Sequence, residues 1–327
     1  MNRNLTRRPT TALSAGLVVL TAISVTLAGC SQSADDTPDT TKSQDVETSP
    51  GAEAPTPFDL LPDDIKESKT INLGTHADSP PCEYMDDGNI AGIGYDMWEG
   101  VAAELGVTIE PTSIEFAGLI PGVESGRFDV AEQCIADTLE REEVITFVDW
   151  VYNQSVVVTT ADNPKNISTD PLSLCGLTVA VQTGTNYLSY VTDKFNPTCV
   201  AAGQPELVIQ QLDSQSQALI NMQSKRVDFA MTNAAAGAYL AEGSDVELEL
   251  FPNELLPRNI MGFAFQKDSA RSQQLVDAWV AALQEMHKDG TYQEILAKWG
   301  MSDYLLEPGV NLVGAAASAS PSPSATP

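Results

Sequence analysis

The chain has 327 residues, 43% hydrophobic and 19% charged, which supports substantial cores, allows two domains and excludes disorder throughout. Its formal net charge of −28 gives a surface that repels phosphate, which argues against a nucleic-acid partner and suits solubility outside the cell. In chain order, residues 1–29 carry Arg3, Arg7 and Arg8 with no acid, then the apolar run "ALSAGLVVLTAISVTLAG" and small residues before Cys30. These are the three parts of an export signal.

The tetrapeptide "LAGC", Leu27 to Cys30, resembles a bacterial lipobox, with an ordinary signal that happens to end before a cysteine as the alternative. The resemblance implies cleavage before Cys30 and a diacylglyceryl group on its thiol, so the protein is expected outside the cytoplasm, anchored to the cell membrane by lipid. No later stretch of about 18 apolar residues occurs. Residues 30–62, rich in Ser, Thr, Asp and Pro, read as a disordered tether. With Cys30 lipidated, Cys82, Cys134, Cys175 and Cys199 remain, an even count that suggests two disulfides with three connectivities open. His76 and His287 are the only histidines and no CxxC pair occurs, so neither a metal nor a cofactor is expected.

Strand and helix patterns then alternate. "TINLGTH" reads as a strand and "GYDMWEGVAAELG" as a helix whose Met97, Val101 and Leu105 share a face with Trp98 and Ala102. A strand "VTIEPTSI", a short helix near "GLIPGVESG" and a strand "RFDVAEQC" follow, then a brief helix and the long extended run "FVDWVYNQSVVVTT". The alternation restarts at "GLTVAVQTGTNYLSYVTDKF", continues through strand "PELVIQQL", helix "SQALINMQSKR", strand "VDFAMTN" and helix "AAAGAYLAEG", and returns to a strand at "NIMGFAFQKDS". Two helices close the pattern, one with Leu275, Trp279, Leu283 and Met286 on one stripe before Gly290, one with Tyr292, Ile295, Leu296 and Trp299. The expected fold is α/β in two lobes, each a mostly parallel sheet flanked by helices. Lobe 1 would comprise residues 63–157 and 255–305, lobe 2 residues 158–254, with a hinge at the two crossings and a low-complexity tail over 306–327.

Ligands of open α/β sheets sit beyond the carboxyl ends of the strands, which selects three junctions. In "QCIADTLERE", Asp137 and Glu140 have the spacing of a capping box, which places Arg141 in the first turn of a helix, where it would add to an anion-friendly end. An arginine neutralised by Glu140, Glu142 and Glu143 on a solvated surface fits the same spacing. In "VAVQTGTNYL", Gly184 permits a tight turn and Thr185 or Asn186 can cap the next helix. In "VDFAMTNAAAG", Asn233 ends a strand, as a site residue or a plain cap.

The ordered set "SPPCEYMDDGNIAGIGYDMWEGVAAELG", "FAGLIPGVESGRFDVA", "ADTLERE", "TFVDWVY", "GLTVAVQTGT", "SKRVDFAMTN", "FAFQKDS" and "KDGTYQEILAKWG" is similar to the family 3 extracellular solute-binding proteins of ABC importers, the polar amino-acid binders, over roughly residues 66–303. The resemblance implies the two-lobed, hinged type II periplasmic-binding fold. It matches Arg141 to the arginine that clamps a ligand α-carboxylate, Thr185, beside Gly184, to a hydroxyl and N–H donor for it, and Phe116 to an aromatic of the side-chain pocket. Three positions depart from the family. Asn233, a neutral acceptor, stands where an aspartate commonly holds an α-ammonium; Ala136 replaces a Ser or Thr; and Cys82 replaces an aromatic. Either another acid, Glu132 or Asp137, supplies the missing charge, or the solute is not an ordinary α-amino acid. The strands before Cys82 and Cys134 should be neighbours in the lobe 1 sheet, and Cys175 and Cys199 bracket one strand and helix of lobe 2, so Cys82–Cys134 and Cys175–Cys199 are the expected pairs.

The function implied is a monomeric, lipid-anchored binding protein that delivers a small carboxylate-bearing solute to an ABC permease and its ATPase and breaks no bond. Two alternatives stand beside it: a cyclohexadienyl or arogenate dehydratase on the same fold, with Glu132 or Asp137 as general acid, and a solute sensor without transport.

Overall fold

The computed structural model describes residues 55–243 and 246–319. The export signal, Cys30 and the tether up to residue 54 lie outside the described residues, as do residues 320–327 of the tail. The last part of the expected tether is folded. Helices α1 (Pro57–Leu60) and α2 (Asp63–Ser68) open the described chain. A capping box forms at α1, with Thr56 accepting from the Asp59 N–H, Asp59 accepting from the Thr56 N–H, and Pro57 in the first turn. Leu61 and Ile65 are fully buried and α1 packs on the long helix Ala270–Asp289, so the apolar run "FDLL" docks rather than trails.

In chain order there follow β1 (Thr70–Thr75), the short strands β2 (Asp78–Ser79), β3 (Glu83–Asp86) and β4 (Asn89–Ala91), α3 (Ile93–Leu105), β5 (Thr108–Ser113), α4 (Leu119–Glu124), β6 (Val130–Ala136), α5 (Leu139–Glu142) and β7 (Ile145–Thr160). Next are β8 (Thr178–Gln182), α6 (Tyr187–Tyr190), α7 (Asn196–Ala201), β9 (Val208–Leu212), α8 (Gln215–Gln223), β10 (Phe229–Asn233), α9 (Ala234–Gly243), β11 (Leu248–Phe251), β12 (Arg258–Gln266), α10 (Ala270–Asp289) and α11 (Thr291–Lys298). In lobe 1, β5, β1 and β6 run parallel and β12 adds antiparallel to β6. In lobe 2, β9, β8 and β10 run parallel. The 16-residue β7 serves both. Residues 145–154 pair with β12, and from Ser155 onward the strand pairs with β10 and β11.

Each lobe has its own apolar cluster. In lobe 1, Trp98, Trp150, Phe263, Phe265 and Trp279 are fully buried, with the Trp279 ring 5.1 Å from Phe263 and 5.4 Å from Phe265. Lobe 2 buries Val179, Val181, Phe195, Phe229 and Met231. Each large side chain so buried contributes about 2–3 kcal/mol, so each lobe holds its own shape while the two crossings stay thin. Disulfides join Cys82 to Cys134 (Cα–Cα 5.9 Å) and Cys175 to Cys199 (Cα–Cα 5.6 Å), one within each lobe.

The end of the described chain departs from the expected tail. Residues 305–310 form β13 (Leu305–Val310), antiparallel to β7, and 312–319 form α12 (Leu312–Ala319). The alanine-rich composition that reads as low complexity is also a strong helix former. Its start is tied down by acids. The N–H groups of Leu312, Val313 and Gly314 donate to Asp149 (2.8 Å), Asp137 (3.3 Å) and Glu142 (2.8 Å), and Asn311 accepts from the Phe147 N–H at 2.7 Å. Burial, with Asp149 and Glu142 beside it, pushes Asp137 up to about 9; burial likewise pushes Asp149 up to about 7.

Because both folded-state values lie above the unfolded value of about 4, the stability these carboxyls give is complete at acid pH and is lost as pH rises toward 7 and 9. Asp137→Asn keeps an oxygen for the Val313 N–H and does not ionise. Its thermal midpoint is expected to fall by a few degrees less than the parent's between pH 6 and 9. Parallel curves in calorimetry would show that the cluster does not titrate in this window.

Candidate functional site

The carboxyl ends of the strands from both lobes face one another across a cavity. Lobe 1 lines it with Ser79 beyond β1, Phe116 in a 3₁₀ turn, and Gln133, Cys134 and Ala136 of β6. Lobe 2 contributes Gln182 at the end of β8, Thr185 in the next loop, Gln215 at the start of α8 and Asn233 at the end of β10. About 30 Å³ is free inside, room for two or three waters, so a solute of amino-acid size is admitted only by parting the lobes.

Arg141 sits where the lobes meet. Its Nη1 donates to the Ala136 carbonyl of lobe 1 at 2.7 Å and its Nη2 to the Gly184 carbonyl of lobe 2 at 2.9 Å. Among the described residues its guanidinium makes no ion pair. Burial lowers its pKa to about 10, which leaves it charged at neutral pH. The helix cap that positions it differs from the expected one. Thr138 is the N-cap of α5 and accepts from the Arg141 N–H at 3.3 Å. Asp137 is still held in the sheet, its N–H donating to the Ile260 carbonyl, and its side chain turns from the cavity into the cluster beneath α12.

Gly184 adopts φ +83°, the left-handed conformation its turn requires, and a Cβ there would lie 2.9 Å from the Cα of Ala117 in lobe 1. The turn glycine is thus a point of closest approach between lobes. Asn186 stands at the N-cap of α6, but no side-chain cap bond forms there. The Thr185 hydroxyl donates back to the Gln182 carbonyl at 2.7 Å, and Asn186, already helical, donates to the Tyr190 hydroxyl at 2.9 Å. Tyr190 in turn donates to Asn259 (2.6 Å), and Asn259 to Ser155 (2.7 Å), which links the cavity wall to β12 and to the shared strand β7.

Asn233 is the third junction, and its amide orientation corrects the expected acceptor role. Its Oδ1 accepts the Ala236 N–H at 2.7 Å and so caps α9, which turns Nδ2 toward the Cys82 sulfur, 4.0 Å away. A backbone N–H accepts nothing, so this orientation is fixed and Asn233 presents a donor. Nor does Glu132 supply charge to the cavity. It packs against Glu83, both fully buried, accepts from the Cys134 N–H at 2.9 Å, and lies against the first turn of α3, where a Cβ on Gly94 would strike both carboxyls. Burial, reinforced by Glu132, pushes Glu83 well up, and burial also raises Glu132.

The structure therefore brings Arg141, Thr185, Phe116, Ala136 and Asn233 to one cavity, with Gly184 closing on Arg141, and leaves Asp137 and Glu132 outside it. Gln182, Gln215 and Ser79 were absent from the sequence-based selection, although each follows a strand's carboxyl end. Met261 lies within β12, and no sequence signal marks it.

Comparison with known proteins agrees with this geometry. The model of the bacterial extracellular solute-binding proteins, family 3, matches residues 71–302. The chain is 29% identical over 252 residues to the arginine-binding protein ArgT of Corynebacterium glutamicum, covering 76% of this chain and 80% of that one. It is 27% identical to the L-cystine-binding protein TcyA of Bacillus subtilis, covering 72% and 82%. Among solved structures it is similar to an ancestral arginine-binding protein bound to arginine (TM-score 0.62, 28% identity, 71% of this chain and 98% of that one). It is equally similar to AncCDT-1, an ancestral amino acid-binding protein described as a precursor of cyclohexadienyl dehydratase (TM-score 0.63, 28% identity, 72% and 98%). With its lobes, crossing strands and interlobe cavity on the same plan, the chain belongs to the bacterial extracellular solute-binding proteins, family 3.

Proposed function

We propose that this protein is the lipid-anchored binding component of an ABC importer, which closes its lobes on a small carboxylate-bearing, amino-acid-like solute and delivers it to the permease. The observation that carries the reading is Arg141, a half-buried cation whose two bonds run to one backbone carbonyl of each lobe. A carboxylate offers such a guanidinium two charged oxygens in place of neutral carbonyls, a charge-assisted exchange worth about 1.5–3 kcal/mol for each bond. Micromolar affinity needs about −8 kcal/mol, so the remainder comes from the lobes burying the rest of the solute. Thr185, Phe116 and Asn233 form the wall against which it is buried. The relatives' names, which specify arginine and L-cystine, support an amino-acid-like ligand.

The export signal and Cys30 motif favour attachment beside a permease, and no helix among the described residues is long and apolar enough to cross a membrane. A dehydratase needs a positioned acid, and neither Glu132 nor Asp137 lines the cavity. The binding reading is therefore preferred over the enzyme.

Arg141→Ala is expected to weaken carboxylate binding by at least 100-fold in isothermal titration calorimetry, with Arg141→Lys intermediate because it keeps charge but loses the fork. Equal affinity in parent and Arg141→Ala would remove Arg141 from the site. Gly184→Ala adds a strained φ, costing about 1 kcal/mol, and a clash with Ala117. It is expected to weaken the same ligand about tenfold and to enlarge the ligand-bound radius of gyration in small-angle scattering; an unchanged radius and affinity would show that Gly184 does not limit closure.

A further inference from the structure

Taking the binding reading as its basis, the charge inventory of the cavity narrows the solute class. Among the described residues, Arg141 is the one charged side chain in the lining, and no carboxylate faces in. The buried acids nearest in sequence to that lining do not make up the deficit. Glu132 is engaged with Glu83 and the Cys134 N–H, and Asp137 with Asp149, Glu142 and the start of α12. Burial also drives Glu83, Glu132, Asp137 and Asp149 toward the neutral form.

The neutral groups fall on both sides of the hydrogen-bond ledger. Asn233, with its oxygen spent on the α9 cap, offers Nδ2 as a donor, and the fully desolvated Gln182 Nε2 has no partner among the described residues. Gln215 gives one Nε2 hydrogen to the Met231 carbonyl and keeps Oε1 as an acceptor, and Ser79 and Thr185 offer hydroxyl oxygens. A buried ammonium or guanidinium would therefore meet neutral acceptors at best, further donors at Asn233 and Gln182, and the repulsion of Arg141. A group that accepts hydrogen bonds beside the carboxylate meets donors instead.

We infer that the solute is a net anion whose carboxylate is flanked by an acceptor such as a hydroxyl or keto oxygen, and that cationic amino acids are rejected. Asn233 is the specificity-determining residue: aspartate there would keep the α9 cap with one oxygen and turn the other, charged, into the cavity.

Calorimetry on the parent, Asn233→Asp and Arg141→Ala, with matched pairs that differ at the α-substituent (L-serine and glycerate, L-alanine and lactate, L-glutamate and 2-hydroxyglutarate) and with L-arginine, tests this. Thermal melts of Asn233→Asp check that the cap survives. The parent is expected to bind the hydroxy acid of its best pair at least tenfold tighter than the amino acid and to give no heat with arginine, and Asn233→Asp is expected to move that ratio toward the amino acid by at least tenfold. Amino acid bound as tightly as hydroxy acid by the parent, or tight binding of arginine, overturns the inference. If that binding is lost in Arg141→Ala, the carboxylate clamp still stands. An Asn233→Asp ratio equal to the parent's removes Asn233 as the determinant, and no binding by any member overturns both readings.

Discussion

A guanidinium held between a carbonyl of one lobe and a carbonyl of the other is the interaction on which this molecule's organisation turns. Arg141 keeps its proton at neutral pH, and desolvation without a counter-ion is costly, so the charge holds whichever acceptors reach it. Both reach it only when β6, ending at Ala136, and the turn after β8, at Gly184, face each other. The bond pair therefore reports the relative position of the lobes, and under the proposed function a ligand with stronger acceptors would compete for the same donors.

The fold makes that competition mechanical. Each lobe keeps its own apolar cluster, and β7 is the strand that runs from one to the other, pairing with β12 in lobe 1 and with β10 in lobe 2. The chain of hydrogen bonds from Asn186 through Tyr190 and Asn259 to Ser155 ties the cavity wall to β12 and β7. A second interlobe tie, from the Ser216 hydroxyl to Asp78 at 2.9 Å, and the packing of Tyr84 against Tyr239, 5.8 Å between centroids, lie away from Arg141. Contact between the lobes is thus distributed, while in the proposed reading the charge that meets the solute is concentrated in one side chain.

Much of this was legible in the sequence because it rests on periodicity and on turn chemistry. The helix of Met97, Val101 and Leu105, the unusually long run that became β7, and the turn at Gly184 follow from spacing and residue type. Most of what failed depended on partners distant in sequence. Asp137 has the right spacing to cap, but its N–H is taken by Ile260, more than a hundred residues away, so Thr138 caps instead. The tail's "LVGAAASA" carries no signal that its first N–H groups will meet Asp149, Asp137 and Glu142. Asn233 was visible as a departure, yet whether it shows oxygen or nitrogen to the cavity is decided by the Ala236 N–H, a matter of geometry rather than composition.

The most direct test is a crystal structure of the protein with whichever carboxylate raises its thermal midpoint most. The account predicts a ligand carboxylate within hydrogen-bond distance of the Arg141 guanidinium, in place of the Ala136 or Gly184 carbonyl, with both lobes in contact with the ligand. A ligand in the cleft with Arg141 still bonded to both carbonyls and out of reach of the carboxylate would contradict it.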